Sequence, residues 1–403
     1  MPFTVVVGGQ WGDEGKGRIV DALARDAWAV ARFQGGPNAG HTVYIGEEKF
    51  VLHLVPMGVL NPNTLCCIGL GVLIDPIILL YEIETLKSRG IDLTGRLLID
   101  PRCHLILPAH IKRDQEHEKA LGDKKIGTTL RGIGPAFADR TTRVGHNISG
   151  FLKAVKNGEK FDIDENYIEK CLKLEPYLDD VSLTLYQYLR ANKNIMAEGG
   201  QGTMLDLGLG TYPFVTATNT VAGAAAVNLG LGANTIDRVV CVIKAYTTRV
   251  GEGPFPTELA NSLGEIIRKV GGEYGATTGR PRRCGWFDGL IARYAARVNG
   301  VNRWAVTKLD VLDDLDVIKA AVAYKIKGEI IHEIPADPAL FVQAEPIYRE
   351  FPGWKRSIKD ARKVNQLPPN ALNYLDFIEE FTGVKIGMVS VGYERKSLIM
   401  IDS

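Results

Sequence analysis

No stretch of this chain approaches the ~18 apolar residues a membrane-spanning helix needs, and no cysteine pair has C-x-x-C spacing. The six cysteines are Cys66, Cys67, Cys103, Cys171, Cys241 and Cys284, and the adjacent pair is poor geometry for a disulfide. Free core thiols in a reducing compartment are expected. An excess of one charge is missing too, since 48 basic and 47 acidic residues leave a net charge of +1. No global field therefore draws the chain to nucleic acid or to a membrane surface, and an anionic ligand must be held by local charges. The first residues, Met1 to Gly9, enter an apolar strand without a basic segment or a small-residue cleavage site, so the expected location is cytoplasmic. Internal repeats and low-complexity segments are also missing.

Glycine is what the chain has in excess. It supplies 44 of 403 residues, against about 28 at an average usage of ~7%. These glycines gather in short polar runs, the pattern of backbone approaching ligands in several loops. At ~150 residues per domain the length allows two or three domains. The patterns favour a single domain over 1–403, with a charged, glycine-poor and helical subregion at 149–195 on its periphery. Phe3 to Val7, Ala29 to Phe33, Phe50 to Val55, Thr64 to Ile68, Leu97 to Ile99 and Leu105 to Leu107 read as strands. So do Asn194 to Ala197, Val239 to Ile243, Arg303 to Val306 and Ala320 to Lys325. Ile19, Val20 and Leu23 share one helical face, Asp75 to Arg89 reads as an amphipathic helix stopped by Gly90, and 110–122 is a charged helix. Alternating strands and helices predict an α/β fold, with a large, mostly parallel central sheet flanked by helices as in P-loop NTPases.

Six polar loops carry the chemistry. Gly8 to Arg18 lies between a strand and a helix, where free amides and the helix dipole suit an anion. It is not a Walker A loop: five residues, not four, separate Gly9 from Gly15-Lys16, and Gly17 stands where Ser or Thr would bind magnesium. Asp13 by itself reads equally as a helix N-cap. Gln34 to Thr42 sets His41 beside glycine, as suits a general acid, although a lone histidine is often structural. Gly127 to Pro135, with Arg140 and Arg143 behind it, combines hydroxyls and arginines suited to a phosphate monoester or to an ordinary turn. Glu198 to Gly202, with Thr211 to Pro213 and Thr216 to Thr220, forms a polar frame for a base or ribose. Gly275 to Arg283 places three arginines within four positions, either a clamp for carboxylate and phosphate or a solvated turn. Thr307 to Asp310 has the T-K-x-D pattern in which a carboxylate takes the N1–H and 2-amino group of guanine; adenine would leave that carboxylate unpaired.

Taken together these residues resemble the adenylosuccinate synthetase family, GTP-dependent ligases that join inosine monophosphate (IMP) to L-aspartate. The matching stretches are Q-W-G-D-E-G-K-G at 10–17, Q-G-G-x-N-A-G-H-T at 34–42, I-G-T-T-x-R-G-I-G-P-A at 126–136, E-G-x-Q-G-T at 198–203 and Y-P-x-V-T at 212–216. K-A-Y-x-T-R-V-G-x-G-P-F-P-T at 244–257, A-T-T-G-R-x-R-R at 276–283 and T-K-L-D-V-L-D at 307–313 complete a likeness over nearly the whole chain.

The resemblance implies roles for the matching residues. Asp13 would be the catalytic base, removing the N1 proton of IMP. Together with the Gly40 carbonyl it would also bind one Mg2+ per subunit. His41 would act as the acid toward the transferring phosphoryl group, assisted by Lys16 and Gln201. GTP, a co-substrate, would contact Gly12, Asp13, Glu14, Gly15, Lys16, Gly17, Arg18, Gly40, His41, Thr42, Arg282, Lys308, Leu309, Asp310, Ser390, Val391 and Gly392. IMP would contact Asp13, Glu14, Gly15, Lys16, Asn38, Ala39, Gly40, His41, Thr129, Gln201, Thr216 and Arg280, with Arg143 reaching in from the other subunit of a homodimer. L-Aspartate would sit on Ala276, Thr277, Thr278, Gly279, Arg280, Pro281 and Arg282. Nucleic acid and membranes are not expected partners. In three places the chain departs from the family pattern. Ser390-Val391-Gly392 stands where Ser-Thr-Gly is usual, the helical region at 149–195 is shorter, and Pro37 replaces a common histidine. A GTP-binding switch is the competing reading, which the off-register phosphate loop and the arginines at 280–283 disfavour. An ATP-using ligase is disfavoured by Asp310, and a purely structural protein by the number of polar loops.

Overall fold

The computed structural model describes residues 3–45, 48–275 and 279–401. Nine strands form the central sheet: β1 (Phe3–Gly8), β2 (Ala29–Arg32), β3 (Leu65–Ile68), β4 (Leu97–Ile99), β5 (Ile195–Glu198), β6 (Arg238–Lys244), β7 (Arg303–Thr307), β8 (Ile386–Ser390) and β9 (Leu398–Met400). Their spatial order is β9-β8-β7-β6-β1-β5-β2-β3-β4. Every neighbouring pair is parallel except β8 with β9. β1 is buried at all six positions, as expected of a strand covered on both faces, and needs no polar alternation. The chain moves outward from β1 through β2, β3 and β4, returns to insert β5 beside β1, and then builds the other half from β6. Crevices open at such reversals, outside the carboxyl ends of the strands, and ligands bind there.

Two buried clusters cover the two faces of the sheet, one around Phe3, Val5, Ala31, Ile243 and Trp304, the other around Val6, Val30, Ile68 and Val242. Between β4 and β5 run the helices Ile148–Lys156, Glu165–Lys173 and Val181–Arg190. Each starts on a side-chain cap, from Asn147, Asp164 and Asp180, which satisfies a free amide of the first turn. Their apolar faces join both clusters, with Phe151, Tyr167 and Cys171 in one and Val181 and Leu185 in the other. All six cysteines are buried and free.

Two strands differ from the expectation. Ala320 to Lys325 lies within Val317–Ile326, which is not in the central sheet but pairs antiparallel with Glu345–Pro352 and Glu329–Ile331. Lys327 and Gly328, both at positive φ, make the tight turn that sends this strand back on itself. The second difference is a hairpin, His41–Ile45 with Glu48–Leu52, where a loop had been read through Thr42. His41 therefore opens a strand and is held by backbone pairing to Leu52.

Asp288 precedes the helix Gly289–Asn299 and is fully buried; it caps the Ile291 N–H at 3.2 Å and accepts the Tyr324 hydroxyl at 2.7 Å. Burial, opposed by these hydrogen bonds, pushes its carboxyl up to about 6. An unfolded aspartate titrates near ~3.9. The folded chain thus holds this proton more tightly, and the stabilisation, complete below the unfolded value, is lost as pH rises through 6. Asp288→Asn removes the charge; its oxygen accepts the Ile291 N–H, and its NH2 donates to the Tyr324 hydroxyl oxygen. It should gain about 2 kcal/mol on the native chain between pH 4 and pH 7.5, at ~1.4 kcal/mol per pKa unit. Urea midpoints of the two proteins across that range check this, and a difference flat with pH refutes it.

Candidate active site

The loops read from the sequence emerge from neighbouring strand ends. Gly9 to Gly15 follows β1, Phe33 to Gly40 follows β2, Gly199 to Gly202 follows β5, Lys308 to Asp310 follows β7 and Val391 to Gly392 follows β8. They surround a cavity of about 1780 Å³, beyond the roughly 300–1,000 Å³ of a single small-molecule site. More than one substrate fits.

In the first loop the two adjacent acids serve different ends. Glu14 is fully buried; Oε1 accepts the Gln10 N–H at 3.0 Å and the Gly12 N–H at 2.9 Å, and Oε2 takes the Lys16 ammonium at 2.6 Å. A Cβ on Gly8 would lie 2.4 Å from Glu14 Oε2, and one on Gly202 would lie 2.5 Å from Oε1. These glycines exist to admit a carboxylate under the loop. Asp13 instead has φ 58°, and its side chain, 32% exposed, turns to the cavity and pairs with Arg282 Nε at 2.8 Å. Gln201 and Lys308 also hold positive φ, at 45° and 56°. Such backbone costs about 1 kcal/mol or more per residue and collects at working sites. Lys16 opens the helix Lys16–Leu23, whose amino end, with Gly12, Gly15 and Gly17, lines the cavity.

His41 is buried, and its Nδ1 contacts Glu198 Oε1. Glu198 Oε2 accepts the Met57 N–H at 2.8 Å, and Arg32 stands 3.7 Å from Oε1. Burial lowers the imidazole pKa; Glu198 opposes this, while Arg32 and Lys16 reinforce it. Burial also works against ionisation of Glu198, but the contact with His41, the Arg32 charge and the Met57 N–H outweigh it and hold the carboxyl below its ordinary value. Near neutral pH the imidazole is therefore uncharged, with Nδ1–H donating to Glu198 and the Nε2 lone pair left over. Nearby, Asn38 Oδ1 and both amide atoms of Gln201 are buried without a hydrogen-bond partner among the described residues. Buried polar atoms are rarely left so, and both residues line the cavity.

Thr129, Thr216, Ala39, Gly40 and Thr42 also face this space. The loop carrying Thr129 is tied down by Asp114, which accepts from Thr128 Oγ1 at 3.0 Å and the Gly132 N–H at 2.9 Å. At the other end Asp310 is half-buried, and burial raises its pKa against the pull of Lys359, Lys308 and Arg18. Arg18 reaches Ser390 Oγ at 2.6 Å and the carbonyls of Gly392 and Glu394, so it laces this loop to the first helix. Ser390 and Gly392 line the cavity while Val391 is buried in the core, so the side chain at 391 does not face the ligand space. Leu309 is likewise a core residue. Arg282 lines the cavity; Arg280 and Pro281 are exposed. Gly279, at φ 65°, donates its N–H to the Gly275 carbonyl at 2.9 Å. Ala276, Thr277 and Thr278 lie outside the described residues. Arg143, at φ 68° and exposed, ends the helix Ile133–Thr142 away from the cavity lining.

Sequence reading had no role for several charged groups beneath these loops. Glu198 had been read as part of a frame for a base or ribose; it holds His41. Glu273 and Lys244 form a buried ion pair at 2.9 Å, and Lys308 joins the same carboxylate at 2.7 Å. An acid just ahead of a glycine loop was the only local signal for Glu273.

Among the described residues no group of three or more carboxylates, imidazoles or thiols is gathered to hold a metal, and no helix is long and apolar enough to cross a membrane. A family model described as adenylosuccinate synthetase matches residues 5–399. The chain is 49% identical to the adenylosuccinate synthetase of Carboxydothermus hydrogenoformans and 48% identical to that of Desulforamulus reducens, over 100% of this chain and 99% of each relative. A fully ligated adenylosuccinate synthetase from Plasmodium falciparum has the same fold, with a TM-score of 0.93 at 35% identity over 99% of both chains. Cyanophage S-2L succinoaminodeoxyadenylate synthetase, at 20% identity and a TM-score of 0.67 over 100% of this chain and 96% of that one, shares the architecture alone. The polar loops gathered at the strand ends, and a match that runs almost from end to end, make this chain a member of the adenylosuccinate synthetase family.

Proposed function

We propose that this ligase joins IMP to L-aspartate in two steps, with Asp13 as the base and His41 as the acid. The 6-oxygen of IMP is a poor leaving group until it is phosphorylated, so one difficult displacement is divided into two easier ones. Asp13 removes the N1 proton, the 6-oxygen attacks the γ-phosphorus of GTP, and the bond to the β–γ bridging oxygen breaks to release GDP. The aspartate amine then adds at C6 and loses a proton, and phosphate departs. The observation that carries this reading is the split between two neighbouring acids: Glu14 is spent inside its loop, while Asp13 faces the cavity with Arg282 as its partner.

His41 is neutral in the free protein, and bound phosphate charge raises its pKa. Nε2 then gains the proton it can share with the transferring oxygens, while Glu198 fixes the ring through Nδ1. Lys16 offsets phosphate charge, and preorganised groups of this kind carry most of a phosphoryl step. Asn38, Thr129, Gln201 and Thr216 hold IMP; the orphaned amide atoms of Asn38 and Gln201 support this. Lys308 and Asp310 hold guanine, and Arg280 and Arg282 take the carboxylates of L-aspartate. One Mg2+ per subunit suits a site offering a carboxylate at Asp13 and a carbonyl at Gly40, because magnesium keeps waters and substrate phosphates as its other ligands. When bound, it neutralises charge on the phosphate oxygens.

Six buried thiols suit a cytoplasmic enzyme. The working unit is a homodimer, in which Arg143, exposed and away from its own cavity, serves the neighbouring site. The test of the whole is adenylosuccinate formation, followed by ultraviolet absorbance with GTP, magnesium, IMP and L-aspartate. No product, or equal rates with ATP, refutes it. Mixing inactive Arg143→Leu with inactive Asp13→Asn subunits should restore activity, since half of the sites in a mixed dimer draw both native residues. No recovery, with mixed dimers demonstrated, would place Arg143 on its own site.

A further inference from the structure

One buried side chain touches both the guanine end and the aspartate end of the cavity. Glu273 is fully buried. Its Oε1 accepts from Lys308 Nζ at 2.7 Å, Lys244 Nζ at 2.9 Å and the Tyr246 hydroxyl at 2.5 Å. Its Oε2 accepts from Arg282 Nη1 at 2.6 Å, and its carbonyl accepts the Arg282 N–H at 2.9 Å. Arg282 in turn reaches Asp13 through Nε, and Lys308 also donates to the Gly271 carbonyl at 2.7 Å. Lys308 begins the turn that carries Asp310, and Arg282 faces the cavity beside Asp13.

The charges define what such a hub does. Burial opposes ionisation of Glu273, but Lys244, Lys308 and Arg282 overcome it and hold the carboxyl well below its usual range. Burial also brings the Lys244 ammonium down to about 8, with Glu273 opposing. Three cations thus meet at one buried carboxylate, where an uncompensated charge is expensive. A shift of Lys308 toward guanine changes how much of Glu273 remains for Arg282, and so how firmly Arg282 holds Asp13.

We infer that Glu273 is a positioning residue that couples the guanine pocket to the L-aspartate side of the site by sharing one buried carboxylate between Lys308 and Arg282. This rests on the proposed assignment of those two residues to GTP and L-aspartate. Coupling of this kind is reciprocal: GTP improves L-aspartate binding by the factor with which L-aspartate improves GTP binding. IMP is held by Asn38, Thr129, Gln201 and Thr216, none of which hydrogen-bonds Glu273; Asp13 meets IMP only as the base of the chemical step, so a change in its pairing with Arg282 is read in kcat and not in the KM for IMP.

Steady-state kinetics of Glu273→Gln test it, with each substrate varied at two levels of the others. The KM for GTP and the KM for L-aspartate are expected to rise together by about tenfold. In the native enzyme each should fall as the other substrate is raised, and in the variant that mutual dependence should vanish. The KM for IMP should stay within about twofold. Should Glu273→Gln fail to fold, Glu273→Gln with Lys244→Met removes one charge of each sign and carries the same expectation. Only one KM moving, all three rising alike, or mutual dependence persisting in the variant would overturn the inference. Failure of the native protein to make adenylosuccinate would instead strike the proposed function.

Discussion

Asp13→Asn is expected to remain folded and to lose at least a thousandfold in kcat. Asparagine is nearly isosteric and tolerates the left-handed backbone at φ 58° better than alanine does. It keeps an oxygen toward Arg282, which in any case retains Glu273 at 2.6 Å. Little stability is therefore at stake. Chemistry is another matter, because an amide cannot take the N1 proton. A positioned base contributes typically 10²–10⁴-fold, and the loss of negative charge at the proposed magnesium site adds to this. Turnover by absorbance, set beside a thermal melt, checks the expectation. Activity within tenfold of native, in a protein that melts normally, would remove Asp13 as the base.

Asp310→Asn should exchange the nucleotide preference. A carboxylate accepts both the N1–H and the 2-amino donors of guanine. An amide brings a donor against one of them, and a buried polar mismatch of this kind costs several kcal/mol. The kcat/KM for GTP is expected to fall by about a hundredfold or more. Xanthosine triphosphate carries an oxygen at position 2 and accepts the new amide, so it should support activity in the variant where it fails in the native enzyme. Asp310 is half-buried on the cavity wall, so the fold should tolerate the change. Unchanged use of GTP, or equal rescue by ATP, would dismiss the guanine assignment.

Much of the architecture is readable from local pattern because it is locally caused. β1 and β6 carry the short apolar runs Val5 to Val7 and Val239 to Ile243, as suits strands covered on both faces. Asp75 with Pro76 marks a helix start by supplying a cap and a preset φ. Ala320 to Lys325 reads as a strand from its sequence, but only the structure places it outside the main sheet, because strand patterning states which residues are buried and not which strand they lie beside. The hairpin at His41 escaped for a related reason: its partner strand, not its own sequence, makes it extended.

The phosphate loop shows where each kind of information stops. By itself the sequence determined that a glycine-rich turn joins β1 to a helix, that it is no Walker A loop, and that two acids and a lysine lie within it. Those are matters of composition and spacing along the chain. Only the tertiary structure decided that Glu14 turns inward and Asp13 outward. The space under the loop exists because Gly8 and Gly202, 194 residues apart in number, meet there without side chains. Likewise Glu198 is bound to His41, and Glu273 to Lys308 and Arg282, by strand order. Ionic and hydrogen-bond partners are chosen by proximity in space, and the fold of the whole chain sets that proximity.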